Sequence, residues 1–361
     1  MASLFLPDLL REMLAAGMDV AMSVSGGKDS QTMLLTVVPW FRAQGFSGKL
    51  YALHTTLGRA ERAETASFLE ALCAKIAIPL IVVQPVVGGV VGDLQDALAR
   101  RKGQLANTAT PFWPSMRNRY CTALKRTACD KQMRTSSLIV SLEGIRAAES
   151  EPRAEKQPFS VRTTITGQRY KRLIPEAAWS LYQADQARLA HLPIQHSFFE
   201  QEDAHIQLPA LPRLAFTLYP LFFWDEEEVW RSCGTSLAEL EERRMLYRQG
   251  IEQEDPTLRA QALAGWPAHP AYVKLARRLS CSLCIWADEM TLRSGAYNSP
   301  DYFRQLVWWE IETGYPFQQG RWLADVAPKL LTDEQREALS ALPQRQNLLK
   351  ANKRTWWLAT R

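Results

Sequence analysis

No apolar run among these 361 residues approaches the roughly 20 that a bilayer-spanning helix needs. The start, MASLFLPDLLREMLAAG, is apolar but carries Asp8, Arg11 and Glu12 at helical spacing. It reads as an amphipathic first helix, not a signal peptide, which places the protein in the cytoplasm and away from the membrane. Cysteine is scarce. Six residues in a chain this long make no disulfide framework. In a reducing compartment they suggest a metal, a cluster, sulfur chemistry or, for some, core packing. Internal repeats and low-complexity tracts are missing too. With 47% hydrophobic and 22% charged residues, a packed core is expected rather than disorder, in one large domain or two ordinary ones.

Acid is absent from residues 341 to 361, which hold Arg345, Lys350, Lys353, Arg354 and Arg361. That tail carries the whole formal net charge of +5. A second basic stretch, 100 to 134, holds nine lysines and arginines against Asp130 alone, among them Arg117, Arg119, Lys125 and Arg126. Basic side chains with interleaved aromatics such as Trp356 and Trp357 suit phosphates and unstacked bases. These two stretches are therefore the expected nucleic-acid contacts, through Arg117, Arg119, Lys125, Arg126, Lys350, Lys353 and Arg354. The tail also reads as a solvated amphipathic helix.

What is present first is an alternation of strand and helix. Strands are expected near 19–25, 49–57, 79–86 and 136–144, with helices from about 30, from 61 to 75 and near 92–102. This is the rhythm of an α/β fold, an open parallel sheet with helices on both faces, whose ligands bind at the C-terminal strand ends. The expected organisation is a nucleotide-binding core over 1–150 and an insertion over 151–215. The end of the α/β core follows over 216–265, with Asp225 as a helix N-cap. A helical region with a basic tail closes the chain over 266–361.

The phosphate signal is SVSGGKDSQTMLL at 23–35. A strand turning into a helix over glycines gathers free N–H groups and the positive helix end at one spot, which favours phosphate. The Walker A pattern is not met, since Lys28 follows adjacent glycines and precedes Asp29. Taken alone, the glycines also read as a tight turn. Two further strings fall at strand ends. SLEGIRAAES at 141–150 offers Gly144 and Arg146 to a nucleotide, arginine pairing bidentately with phosphate. HTTLGRAERAET at 54–65 offers His54 and Gly58. Two strings carry sulfur. RNRYCTALKR at 117–126 sets Cys121 among cations, which favour thiolate. HPAYVKLARRLSCSLCIWAD at 269–288 holds the C-x-x-C pair Cys281 and Cys284. Such a pair reads as half a zinc site, part of an iron–sulfur site, a redox dithiol or two structural cysteines. Cys129 and Cys233 are the candidates for a fourth ligand, and Cys73 reads as core.

Together these strings resemble the PP-loop ATP pyrophosphatases of the phosphoadenylylsulfate (PAPS) reductase-like branch. The carrying residues are Ser25 to Ser30, His54 to Glu61, Arg119 to Lys125, Gly144 to Ser150, Tyr219 to Trp230 and His269 to Cys284. The resemblance implies an adenine-nucleotide α-hydrolase-like fold of the HUP, Rossmann-like kind. It implies ATP with Mg²⁺, bound through Ser25, Gly26, Gly27, Lys28, Asp29, Ser30, His54, Gly58, Gly144 and Arg146. Lys28, Asp29 and Arg146 are the implied catalytic set. Cysteine is lacking from NLLKANKRTWWLATR, where sulfonucleotide reductases carry one. The chain is more similar to the ATP pyrophosphatase components of DNA phosphorothioation systems, the D component of the Ssp system or the C component of the Dnd system. That likeness implies an anti-phage defence system that activates a DNA backbone phosphate. Its partners would be DNA, other phosphorothioation subunits and a cysteine desulfurase as sulfur donor. It maps Cys121, Cys281 and Cys284 onto ligands of a 4Fe–4S cluster, with a cluster-free persulfide relay as the other open state. The alternatives are a PAPS or APS reductase, a tRNA-thiolating PP-loop enzyme, and a nucleotide-gated assembly subunit without turnover.

Overall fold

The computed structural model describes residues 3–104, 112–115, 118–167, 170–190, 213–279 and 281–342. Its centre is β1 (Asp19–Ser23), whose three middle residues are buried. Around it lie β2 (Leu50–Thr55), β3 (Leu80–Val83), β6 (Leu138–Glu143), β7 (Phe159–Val161) and β8 (Leu214–Leu218). The six-stranded sheet runs β3-β2-β1-β6-β8-β7, parallel except for β7, which pairs antiparallel with β8. Buried on both faces, these strands read as near-continuous apolar runs, as a parallel sheet requires. β4 (Val86–Val87) and β5 (Val90–Val91) form a separate hairpin. Its turn places Gly88 and Gly89 at positive φ, the geometry that matches the twist of paired strands. The expected strand 79–86 therefore ends early, at Val83.

Side-chain alternation sorts the sheet into two layers. Val20, Met22, Ala52, Val140, Leu142 and Phe216 face the helices Asp8–Ala15 and Lys28–Gln44, with Trp179 and Tyr182 beside them. Ala21, Tyr51, Leu53, Ile139 and Ala215 face the other way, toward Met133 on the helix Tyr120–Met133. The helix expected from Glu61 begins only at Thr65. The carbonyls of Ala60 and Glu61 are taken by Ser282, so this stretch stays outside the helix.

The chain continues through six helices: Glu226–Ser232, Leu237–Glu252, Pro256–Leu263, Glu289–Asn298, Pro300–Thr313 and Asp333–Ala341. The first is capped by Asp225, as its sequence suggests, with a reciprocal bond to Glu228. The later helices share a core with the first half. Leu57, Ala60, Leu94 and Leu98 pack with Leu283, Leu292, Phe303, Leu306 and Trp322. No described helix is long and apolar enough to cross a membrane.

Candidate active site

Register decides what meets at the sheet's edge. β1 pairs with β6 so that Ser23 lies opposite Glu143, and with β2 so that Ser23 lies opposite Leu53. The chain leaves β1 for β2 on one side and finds β6 on the other. This is a topological switch point, where open α/β sheets bind ligands. The loop after β1 thus has His54 and Thr55 on one flank and Gly144 on the other.

Ser30 ties this loop together. Its hydroxyl accepts the Ser25 N–H at 3.3 Å and donates to the Gly27 carbonyl at 2.9 Å. Gly26 sits at φ +78°, which side chains rarely adopt. Gly144 is needed for close approach. A Cβ there would lie 2.9 Å from the Asp29 carbonyl carbon and 3.0 Å from the Ser30 nitrogen. The helix Lys28–Gln44 begins at this point, aiming its N-terminus at a small cavity.

The charges form a chain. Lys28 Nζ is 2.9 Å from Asp29 Oδ2 and 3.7 Å from Glu226 Oε1. Arg146 Nε is 2.6 Å from Asp29 Oδ1, and its Nη1 donates to the Trp224 carbonyl at 3.4 Å. Lys28 and Arg146 are both buried. A buried cation needs a partner, and Asp29 serves both. Three arginines from elsewhere join the wall. Arg153, Arg277 and Arg278 line a cavity of about 210 Å³ together with Ser25, Lys28 and Gly144. Arg153 is paired with Glu149. Tyr272 also lines it, and its hydroxyl accepts the Lys28 N–H at 3.0 Å. Charge of this sign around free N–H groups suits a polyphosphate.

A larger cleft, about 550 Å³, shares Ser23, Ser25 and Ile145 with the first and opens over the ends of β1, β2, β6 and β8. Its position suits a nucleoside. Arg162 spans its floor, with Nε 2.8 Å from Asp130 Oδ1 and Nη1 2.8 Å from Glu143 Oε1. Lys125 and Arg126 lie on its wall. His54 is clamped. Its Nδ1 is 3.0 Å from the Val24 carbonyl and its Nε2 3.0 Å from Glu61 Oε1. Burial alone would raise the Glu61 carboxyl, but His54, Thr56 and the Lys125 charge outweigh it and hold the group below the usual carboxylate range. Gly58 lines neither cavity. It opens a short 3-10 turn whose Arg59 pairs with Asp93 and Asp96.

Cys281 lies within electrostatic reach of both Cys121 and Cys284. Burial pushes the Cys281 thiol up to about 11, the Lys125 charge opposing it and the other two sulfurs adding to it. Burial thus dominates at this thiol. Cys281 also shares a small crevice with Ser25, Glu61 and Lys125. The two candidates for a fourth ligand are engaged elsewhere. Cys129 Sγ is 2.9 Å from Thr55 Oγ1, and Cys233 Sγ is 3.3 Å from Thr32 Oγ1. Among the described residues no group of three or more histidine, cysteine or carboxylate side chains is arranged to hold a metal ion. Cys73 is buried in the main core.

Arg119 lies over the Trp286 ring at 5.3 Å. Arg117, Lys350, Lys353 and Arg354 lie outside the described residues. Sequence reading missed Arg153, Arg162, Tyr272, Arg277 and Arg278. The Arg277–Arg278 doublet had a signal, since it stands just before the C-x-x-C pair. Tyr272 had none.

The sequence pattern of the phosphoadenosine phosphosulfate reductase domain matches residues 19–273. No curated protein matches. Among solved structures, the chain is similar to the U34-tRNA thiolase NcsA from Methanococcus maripaludis with its 4Fe–4S cluster. Identity is 15% over 72% of this chain and 76% of that one, with a TM-score of 0.32, too low to carry an argument. The domain match starts at the first residue of β1 and runs past β8 and Tyr272, so it takes in the whole six-stranded sheet, the larger cleft and the smaller cavity except for its Arg277–Leu279 wall: this chain belongs to the phosphoadenosine phosphosulfate reductase domain family.

Proposed function

We propose that the protein is an ATP pyrophosphatase that adenylylates a DNA backbone phosphate, releases pyrophosphate and so prepares that phosphate for sulfur. The observation that carries this reading is the shared crevice of Ser25, Lys125 and Cys281, which brings a thiol to the loop that would hold ATP. A phosphodiester oxygen is a poor leaving group, and AMP attached to it makes it a good one.

The nucleoside would occupy the larger cleft and the β- and γ-phosphates the smaller one. Lys28, Arg146, Arg153, Arg277 and Arg278 would neutralise charge as it develops on pyrophosphate. Asp29, already between two cations, is the carboxylate placed to hold Mg²⁺, which when bound would polarise the phosphate oxygens. Lys125 and Arg126 would face the acceptor phosphate at the mouth of the cleft. A persulfide on Cys281, loaded by a cysteine desulfurase, would then attack the activated phosphorus through its outer sulfur, AMP leaving with the oxygen it had taken, and the Cys284 thiolate would break the S–S bond of the adduct, leaving the phosphorothioate on DNA and a Cys281–Cys284 disulfide for an external thiol to reduce.

The test incubates the protein with labelled ATP and either DNA or tRNA, and follows pyrophosphate and incorporated sulfur. Release stimulated by DNA, with phosphorothioate linkages after nuclease digestion, supports the proposal. Release with tRNA alone makes it a tRNA-thiolating enzyme. Reduction of a sulfonucleotide without ATP cleavage makes it a PAPS or APS reductase. No turnover, with Lys28→Ala weakening only complex assembly, makes it a nucleotide-gated subunit. Anaerobic purification separates the two states of the cysteines. A brown protein with about four irons per chain carries the cluster, and a colourless active one relays persulfide.

A further inference from the structure

The turn that follows Cys284 is pinned at several points. The Ala287 N–H returns to the Cys284 carbonyl at 2.9 Å. Gln318 Nε2 donates to the Ile285 and Ala287 carbonyls, each at 2.8 Å. Ile285 and Ala287 pack against the C-terminal core. The residue between them, Trp286, stays outside that core and is 41% exposed.

A single exposed tryptophan is ordinary on a protein surface, but this one has company. The Arg119 guanidinium lies over its ring, 5.3 Å from the centroid. Arg119 is the N-cap of the helix Tyr120–Met133. Three and seven positions on, Thr122 and Arg126 follow on the same side of the helix, and both line the larger cleft. Lys125 lines that cleft and also the crevice of Ser25 and Cys281. The indole and its guanidinium therefore stand where the wall of the cleft runs out, about 9 Å along the helix axis from Lys125. The carboxylates next to Trp286 in the chain are occupied. Asp288 accepts the Thr291 N–H at 2.9 Å, and Glu289 pairs with Arg293 and Arg321.

We propose that Trp286, backed by Arg119, is the platform on which one unstacked base of the acceptor strand lies. The guanidinium covers one face of the indole, and the base takes the other. Every base has a π-face, so such a platform tolerates any sequence. Arg119 steadies the ring and adds positive charge for the adjoining phosphate. The turn is fixed before the strand arrives, so little order has to be gained on binding. A base held here leads the backbone beside it toward Lys125 and Arg126. The inference rests on reading the acceptor as a nucleic acid. It applies to a base on DNA or RNA alike, and its test requires neither ATP nor sulfur.

The test uses the full chain and a short strand of abasic sites bearing one central base, 5-iodouracil, made once as DNA and once as RNA. Irradiation joins iodouracil to an aromatic ring stacked on it, and peptide mass spectrometry reads which ring. The cross-link should fall on Trp286. Trp286→Ala should weaken binding of this strand by about tenfold, and Trp286→Phe by much less. A fully abasic strand should bind wild type and Trp286→Ala equally, which a merely structural role for the ring would not give. Thermal melting identifies a variant that fails to fold, and the wild-type cross-link then decides. Wild type that binds the strand but cross-links elsewhere overturns the inference, as does wild type that binds neither strand. So does a folded Trp286→Ala protein that still prefers the base-bearing strand as strongly as wild type. A Trp286 cross-link from RNA alone keeps the inference and removes DNA as the acceptor. Phosphorothioation of DNA without that cross-link keeps the acceptor and removes the inference.

Discussion

The hydroxyl of Tyr272 accepts the backbone N–H of Lys28 at 3.0 Å, joining residues 244 positions apart. This N–H belongs to the first residue of the helix Lys28–Gln44, where the four leading amides have no partner within the helix. Tyr272 is fully enclosed, and burial raises its phenol well above the ordinary value, so it stays neutral. The bond holds the loop in shape before any phosphate arrives.

Tyr272→Phe should therefore loosen the loop without touching the sheet. It leaves a buried N–H without an acceptor, at a cost of about 1–3 kcal/mol. Thermal melting should show the loss. A non-hydrolysable ATP analogue should recover part of it, because a phosphate oxygen can take the vacated amide. A variant that melts like wild type shows that the bond contributes nothing.

Lys28→Ala and Asp29→Ala should each lower pyrophosphate release by about a hundredfold or more, with the circular dichroism spectrum unchanged. Asp29 matters twice, because without it Lys28 and Arg146 repel each other across an empty position. Normal turnover in both variants would remove the glycine loop from the reaction.

Glu310 gives a pH dependence in the C-terminal region. It is fully buried, and its carboxylate accepts the N–H groups of Phe317 and Leu323 at 2.7 Å and of Ala324 at 3.2 Å. Burial pushes its carboxyl from 4.5 to about 8, although the three N–H donors pull the other way. Between those values the folded chain keeps a proton that the unfolded chain releases. Stability is then full below pH 4.5 and falls as pH rises toward about 8. Glu310→Gln should flatten that part of a melting-temperature profile, while lowering the whole curve because its amide group faces an N–H donor. A profile with the same slope in both proteins would mean that Glu310 is ionised throughout.

DNA affinity should fall with salt, with a slope that drops by roughly 0.9 for each phosphate contact removed from a duplex. Removing residues 343–361 should reduce the slope for all sequences alike. Lys125→Ala should do more, since Lys125 also lies beside Ser25 and Cys281. It should slow pyrophosphate release as well as weaken binding. Filter binding at several salt concentrations, run beside the release assay, separates the two effects. An unchanged slope after truncation leaves the tail with no phosphate contact.

The parts that were readable in the sequence are those written contiguously. SGGKDS announces its own turn, cap and cation, and its strand and helix flank it. Asp225 announces its helix because a capping box needs only four residues. What was not readable is what folding brings from afar. The Lys28–Asp29–Arg146 chain depends on β6 lying beside β1, and strand order is not local information. Arg162 looked like one charge in a mixed segment, until β7 and β8 set it between Asp130 and Glu143. The late start of the helix at Thr65 is decided by Ser282, more than two hundred residues away.

The core that Leu57, Ala60, Leu94 and Leu98 share with Leu283, Phe303 and Trp322 bears on how this molecule can be dissected. The domain match stops at residue 273, an inviting place to end a recombinant fragment. Such a fragment would turn those four aliphatic side chains into a wet, adhesive face, and would fail as a minimal nucleotide-binding unit. Expressed together as separate chains, the two pieces have a ready-made seam along which to find each other. Split-protein complementation, with pyrophosphate release as the reporter, is the natural use of that seam.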